Sequence, residues 1–275
     1  MASSPLSILA LVLSFDGASG LFFRQNPCNP IDTVNNGTFT LDLEEYTRAT
    51  WYVQKQQVNA YQPATELYCV TATYNLENGK VPLFGGPVIS VYNRATKENM
   101  NDQINGGVLC ARIADASEPD KFSVAPCFLP NIFAGPYWPI YLETNANGEY
   151  TIVVVSGGQP DVVLSENPTI CTTKERGINN SGLWILARDP EADPAAIARA
   201  EAAMLSMGVG TSELVDVPQG TQCQNAYDSR FIKPRDCSDP GKCNPASGAG
   251  ACDAAAGPIR KLFCILFRTF FYSCI

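Results

Sequence analysis

Eight short runs read as strands, at 49–59, 66–76, 87–93, 106–114, 121–127, 137–144, 149–156 and 183–188, some with apolar and polar positions in alternation as in Val70-Thr71-Ala72-Thr73-Tyr74-Asn75. A period of two marks a strand with one face in a core and the other toward water. Turn-forming clusters separate several of the runs: Glu77-Asn78-Gly79-Lys80, Ser117-Glu118-Pro119-Asp120 and Asn145-Ala146-Asn147-Gly148. Short antiparallel candidates following one another along the chain predict an all-β, up-and-down barrel, with a β-sandwich as the alternative. Eight strands close around a space that side chains or one small ligand fill.

The period then changes. Asp189-Pro190 leads into Pro194-Ala195-Ala196-Ile197-Ala198-Arg199-Ala200-Glu201-Ala202-Ala203-Met204-Leu205, a run dense in strong helix formers. Ile197, Ala200 and Met204 form a modest apolar stripe, and Gly208 is a natural stop. This predicts one helix packed on the barrel wall. The stretch 157–182 is far longer than a hairpin loop and is read as a lid, a partner site or tethered decoration.

Both ends differ from the middle. Leu6 to Phe15 is an apolar run followed by Ala18-Ser19-Gly20, which reads as a signal segment over 1–20. It is too short to span a bilayer. Residues 21–223 are read as the barrel with its helix. Residues 224–275 are read as a Cys-rich, irregular extension ending in the apolar run Leu262-Phe263-Cys264-Ile265-Leu266-Phe267 before Arg268. Small residues at Ser247-Gly248-Ala249-Gly250 ahead of that run suggest a lipid-anchor signal; an amphipathic tail at a membrane surface and an unstructured tail are the alternatives. Membrane association through this tail is one expectation.

Composition narrows the chemistry. The net charge of −8 argues against nucleic acid as a partner, because phosphate binding needs clustered Lys and Arg. Histidine is absent, so no His base, Ser-His or Cys-His pair, or His metal ligand exists, and no metal site is expected. Eleven cysteines without a CxxC pair read as disulfides in a secreted or other oxidising compartment, with the odd one free, lipidated or paired between chains. Asn36 and Asn179 head glycosylation sequons, which suits the same route. Cys110 and Cys127 fall on neighbouring strands of one expected hairpin and make a plausible pair.

Three segments carry a resemblance. The first is Phe39-Thr40-Leu41-Asp42-Leu43-Glu44-Glu45-Tyr46-Thr47-Arg48-Ala49-Thr50-Trp51-Tyr52. The second runs from Asn78-Gly79-Lys80 through Val88-Ile89-Ser90-Val91-Tyr92-Asn93 and Gly107-Val108-Leu109-Cys110-Ala111-Arg112 to Lys121-Phe122-Ser123-Val124 and Tyr137-Trp138-Pro139-Ile140-Tyr141-Leu142. The third is Leu183-Trp184-Ile185-Leu186-Ala187-Arg188-Asp189-Pro190. Together, in collinear order, they resemble the lipocalin family, and most closely its apolipoprotein-D-like, bacterial and plant branch. Ala49 stands where the family's entry motif has Gly.

The resemblance implies an eight-stranded up-and-down antiparallel barrel, with Trp51 plugging one end and Arg188 lying over its ring. It implies the bridges Cys28–Cys171 and Cys69–Cys223. It implies binding, transport or sequestration of a small apolar ligand of retinoid, carotenoid, bilin, sterol or fatty-acyl class, and no cofactor beyond such a bound lipid or pigment. Expected lining residues are Tyr74, Phe128, Trp138, Ile140 and Val153, although strand parity is open at this point. Two rivals stand beside the carrier. One is a lipocalin-fold enzyme resembling violaxanthin de-epoxidase, which a paired, inward-facing Asp or Tyr would favour. The other is an interaction protein with a packed barrel and a docking tail.

Overall fold

In the computed structural model, the described residues are 27–37, 40–76, 81–98, 103–105, 108–227 and 232–233. The signal segment, the sequence from 234 onward with its five cysteines, and the turn at 77–80 lie outside them.

A short turn of helix, α1 (Val34–Gly37), precedes a second, α2 (Leu43–Thr47), which leads into the first strand. The strands are β1 (Trp51–Gln57), β2 (Tyr68–Asn75), β3 (Val88–Thr96), β4 (Gln103–Asn105), β5 (Leu109–Ile113), β6 (Phe122–Pro126), β7 (Gly135–Thr144), β8 (Tyr150–Ser156), β9 (Val162–Leu164), β10 (Asn167–Thr172), β11 (Leu183–Ala187) and β12 (Leu214–Asp216). Helix α3 (Pro194–Ser206) lies between β11 and β12. Eight of these strands close a barrel in the order β1-β2-β3-β5-β6-β7-β8-β11, with β11 pairing back to β1. Every pair in that ring is antiparallel. All eight expected strands are present, mostly trimmed by a residue or two at their ends.

Four strands carry no clear sequence signal. β4 pairs with β3 at its far end. β9 and β10 form a separate hairpin inside the long 157–182 connection. β12 pairs with the second half of β1, where β1 has parted from β2. Gln219 spans that parting, its Nε2 donating to the carbonyls of both Val53 and Val70.

The helix forms where its sequence starts and stops it. Asp193 caps it, accepting from the Ala195 N–H, and Pro194 occupies the first turn. Gly208, at φ +77, ends it in the left-handed region that favours glycine. Ala196, Ala200 and Met204 are buried on one stripe against Ile140, Ile152, Val154, Leu183 and Ile185 of β7, β8 and β11. Arg199 ties the helix to Glu143 of β7 at 2.8 Å.

The barrel therefore has two apolar layers. An inner cluster fills its axis, and an outer one lies between its wall and α3. Three disulfides staple the whole: Cys28–Cys171, Cys69–Cys223 and Cys110–Cys127. The first holds the N-terminal arm to β10, the second holds β2 to the segment after β12, and the third holds β5 to the β6–β7 connection.

Candidate ligand chamber

Strand pairing decides which side chains face the axis. Residues directly opposite in an antiparallel pair share a face. Trp51 lies opposite Ala72, Val53 opposite Leu186, Gln56 opposite Trp184, and Phe122 opposite Tyr137. All but Gln56 belong to the inner cluster or pack against it. Gln56 therefore faces inward too, beside Trp184.

One end of the axis is sealed. Asp42 caps α2 by accepting from the Glu44 and Glu45 N–H groups, and the helix carries Tyr46 into the barrel. The Trp51 indole N–H donates to the Tyr46 carbonyl at 3.0 Å. The Arg188 guanidinium lies 3.7 Å from the Trp51 ring centre. It also donates to the carbonyls of Glu45 at 2.7 Å and Tyr46 at 2.9 Å, and to that of Ala49. Burial works against the charge of Arg188, and Glu45 offsets part of that. A planar donor fork suits several converging carbonyls as well as an aromatic face.

The chain returns to this end after Tyr227. Lys233 is buried there, its Nζ donating to the carbonyls of Thr47 and Tyr74, while its backbone bonds to Thr50 through both N–H and C=O. Nothing in the local sequence signals this. The floor of the barrel is thus built from three distant segments.

Accessibility rises along the axis away from that floor. Tyr46, Trp51, Tyr74 and Phe122 are each at most 2% exposed. Higher up, the inward-facing Asn93, Leu109, Val124, Tyr137 and Trp184 are partly exposed, as is Val58 at the end of β1. The inward-facing side chains thus grow more accessible toward the end of the barrel opposite Trp51. Rings rise through the barrel as a connected column. Centroid separations are 5.6 Å from Trp51 to Tyr46, 5.2 Å from Tyr46 to Tyr74, 6.4 Å from Tyr74 to Tyr137 and 6.0 Å from Tyr137 to Trp184.

The end of the barrel opposite Trp51 is flanked by two connections. Gly182, at φ +97, sits against Trp184 and Tyr61; a Cβ there would lie 2.1 Å from the indole and 2.8 Å from the Tyr61 hydroxyl. The β6–β7 connection carries the exposed Phe128, Ile132 and Phe133 beside it.

The expected lining residues divide. Tyr74 and Val153 face the axis and are fully buried in its lower part. Phe128 is 40% exposed in the β6–β7 connection at the rim. Trp138 and Ile140 face outward. Ile140 packs beneath α3, and Trp138 lies at the edge of the same cluster with the Lys121 ammonium 5.1 Å from its ring. The alternation in β7 puts Tyr137 inside and Trp138 outside, and a bulge between Pro139 and Tyr141 leaves Ile140 outside before Leu142 turns in. Among the inward residues that sequence reasoning left out are the aromatic Tyr46, Phe122, Tyr137 and Trp184. Each of the last three is a direct neighbour, in alternation, of a residue on the outer face. Asn179 is exposed, and Asn36 lies in α1 with its side chain outside the described set.

Among the described residues, no three His, Cys, Asp or Glu side chains converge on a metal-sized site, and no helix is long and apolar enough to cross a membrane. No carboxylate is among the described inward-facing residues of the eight strands.

The fold is a closed eight-stranded antiparallel barrel with one helix packed outside it. Solved structures similar to this chain include the major allergen Per a 4 from cockroaches, 16% identical at a TM-score of 0.42, covering 71% of this chain and 96% of that one. Lobster apocrustacyanin A1 is 16% identical at a TM-score of 0.44, covering 67% of this chain and 83% of its own. The siderocalin Ex-FABP is 10% identical at a TM-score of 0.37, covering 63% and 91%. No family model and no curated protein sequence matches the chain.

Proposed function

We propose that this chain is a lipocalin that binds a small apolar ligand in the upper barrel and carries or sequesters it in an oxidising compartment. The observation that carries the reading is the accessibility gradient: sealed at Trp51 and Arg188, partly open from Tyr137 and Trp184 upward. Burying apolar surface against these walls contributes about 25 cal/mol per Å² removed from water. Three disulfides fit the compartment.

The enzyme reading has one point in its favour, because three tyrosines face inward together. Burial pushes all three phenols up: Tyr74 to about 12, Tyr46 and Tyr137 well above the usual tyrosine range. A general acid or base works best with a pKa near the operating pH. These phenols are held neutral, with no inward carboxylate among the described residues to act as their partner. They suit binding through hydrogen bonds rather than proton transfer.

Purification of the protein from its native source, followed by solvent extraction and mass spectrometry, is expected to recover a lipid or pigment in near-stoichiometric amount. Repeated preparations yielding nothing, together with no binding of apolar probes, would contradict the carrier reading.

A further inference from the structure

The β6–β7 connection holds apolar side chains out in water on a braced support. Ile132 is 83% exposed and Phe133 49%, with Phe128 exposed on the same connection. Single exposed apolar residues are ordinary, whereas a group of them marks a contact surface. The connection is tied down on both sides. Cys127, at its start, is bridged to Cys110 of β5. Arg112 of β5 is fully buried beneath it. Its Nη1 donates to the carbonyls of Cys110 and Ala125, and its Nη2 to those of Pro126 at 3.0 Å and Leu129 at 2.8 Å. The N–H groups of Leu129, Phe133 and Ala134 donate to the carbonyls of Pro126, Pro130 and Asn131, closing successive tight turns. At the far end, a Cβ on Gly135 would lie 2.1 Å from the Ile178 carbonyl oxygen, so the 157–182 connection is packed closely against it. A disulfide, a buried arginine and a close backbone contact keep Ile132 and Phe133 from folding back onto the barrel.

Charge and area say what these side chains face. From Phe122 to Leu142 there is no Asp, Glu, Lys or Arg, in a chain of which 17% is charged. A segment that enters lipid loses its water, so a charge there would be costly. A second copy of the chain fits less well. The three side chains present on the order of 300 Å² of apolar surface, and a stable protein interface takes about 800 Å² from each partner. An anionic membrane fits less well too, because the stretch holds no basic residue to attract it and the whole chain carries a net charge of −8.

We infer that the Phe128–Phe133 turn docks the barrel on an electrically neutral lipid surface, such as one of zwitterionic phosphatidylcholine, with Ile132 and Phe133 inserted below the headgroups. Docking in this way sets the end of the barrel opposite Trp51, where Tyr137 and Trp184 are partly exposed, toward the lipid. It goes beyond the proposed binding function and does not depend on it.

The test mixes the full chain with phosphatidylcholine vesicles, without added ligand, and separates bound from free protein by flotation. The parent is expected to float, equally at low and high salt, because the contact is apolar. The double substitution Ile132→Ser with Phe133→Ser, at exposed positions, is expected to weaken partitioning on the order of tenfold or more, with an unchanged far-ultraviolet circular dichroism spectrum. A second readout places the contact. Ile132→Trp is expected to add emission, taken as the difference from the parent, that shifts to the blue with vesicles and is quenched by dibrominated phosphatidylcholine. Leu205→Trp, at an exposed position of α3, is expected to do neither. A parent that does not float, flotation lost at high salt, a double variant that floats like the parent, or equal quenching at the two positions would overturn the inference. A dimer in solution that the double substitution separates would also overturn it, assigning the surface to a second copy. No ligand is used, so each of these failures leaves the binding function standing.

Discussion

Trp51→Ala is expected to lower stability by about 3–5 kcal/mol, the cost of emptying a large buried aromatic site. In a fold of this size each kcal/mol lowers the melting temperature by about 2–4 °C. The ring is 0% exposed and sits between Tyr46 and the Arg188 guanidinium. Its removal therefore loses three things: buried area, the indole N–H bond to the Tyr46 carbonyl and the surface on which Arg188 rests. Arg188→Met is the companion change. It keeps much of the volume but leaves the Glu45, Tyr46 and Ala49 carbonyls without their donors. A double-mutant cycle on the two positions isolates the contact itself, which is expected to couple by about 2 kcal/mol, the size of a desolvated cation–π pair. Chemical denaturation followed by far-ultraviolet circular dichroism checks both values. An unchanged midpoint for Trp51→Ala would show that the floor does not hold the barrel.

Removing Cys69–Cys223 by paired alanine substitutions is expected to cost about 5 kcal/mol in the chain-entropy picture, and removing Cys110–Cys127 about 3 kcal/mol. The difference follows from sequence separation, 154 residues against 17. The longer bridge also does local work. Cys69 sits at φ +53, a left-handed conformation unfavourable for a side-chain-bearing residue, at the irregular register between Tyr68 and Thr71. Cys223 closes the segment from which Gln219 bonds to both β1 and β2. Loss of the bridge thus frees the segment that fills the gap between those strands. Urea midpoints of the two paired variants, compared with the parent, test the order. A larger loss from the short bridge would contradict it.

Much of this fold is legible in the chain because the eight barrel strands are short runs rich in strand-forming residues, and turns such as Asn145–Gly148 separate several of them. The plug is legible too, since Trp51 and Arg188 fall at the start of the first strand and the end of the last. Parity in β7 is not legible: Trp138 and Ile140 keep the spacing of a single face, but nothing in the sequence says which face, and the bulge after Pro139 shifts the phase. Tyr46 escapes a strand-based search because it enters the barrel from a five-residue helix. Lys233 has no local signal at all, since its place depends on carbonyls at Thr47 and Tyr74 that become neighbours only after the barrel closes. The hairpin of β9 and β10 escapes because its paired segments are short and mostly exposed.

The chain has three tryptophans, and the fold gives each a different place: Trp51 in the floor, Trp138 on the outer wall and Trp184 on the inner face of the barrel. Titration with a brominated long-chain fatty acid, whose bromines quench indole emission on contact, tests the central claim most directly. Saturable quenching is expected in the parent and in Trp138→Phe, and most of it is expected to vanish in Trp184→Phe. Absence of saturable quenching, or quenching that disappears with Trp138 and persists without Trp184, would contradict a ligand chamber inside the barrel.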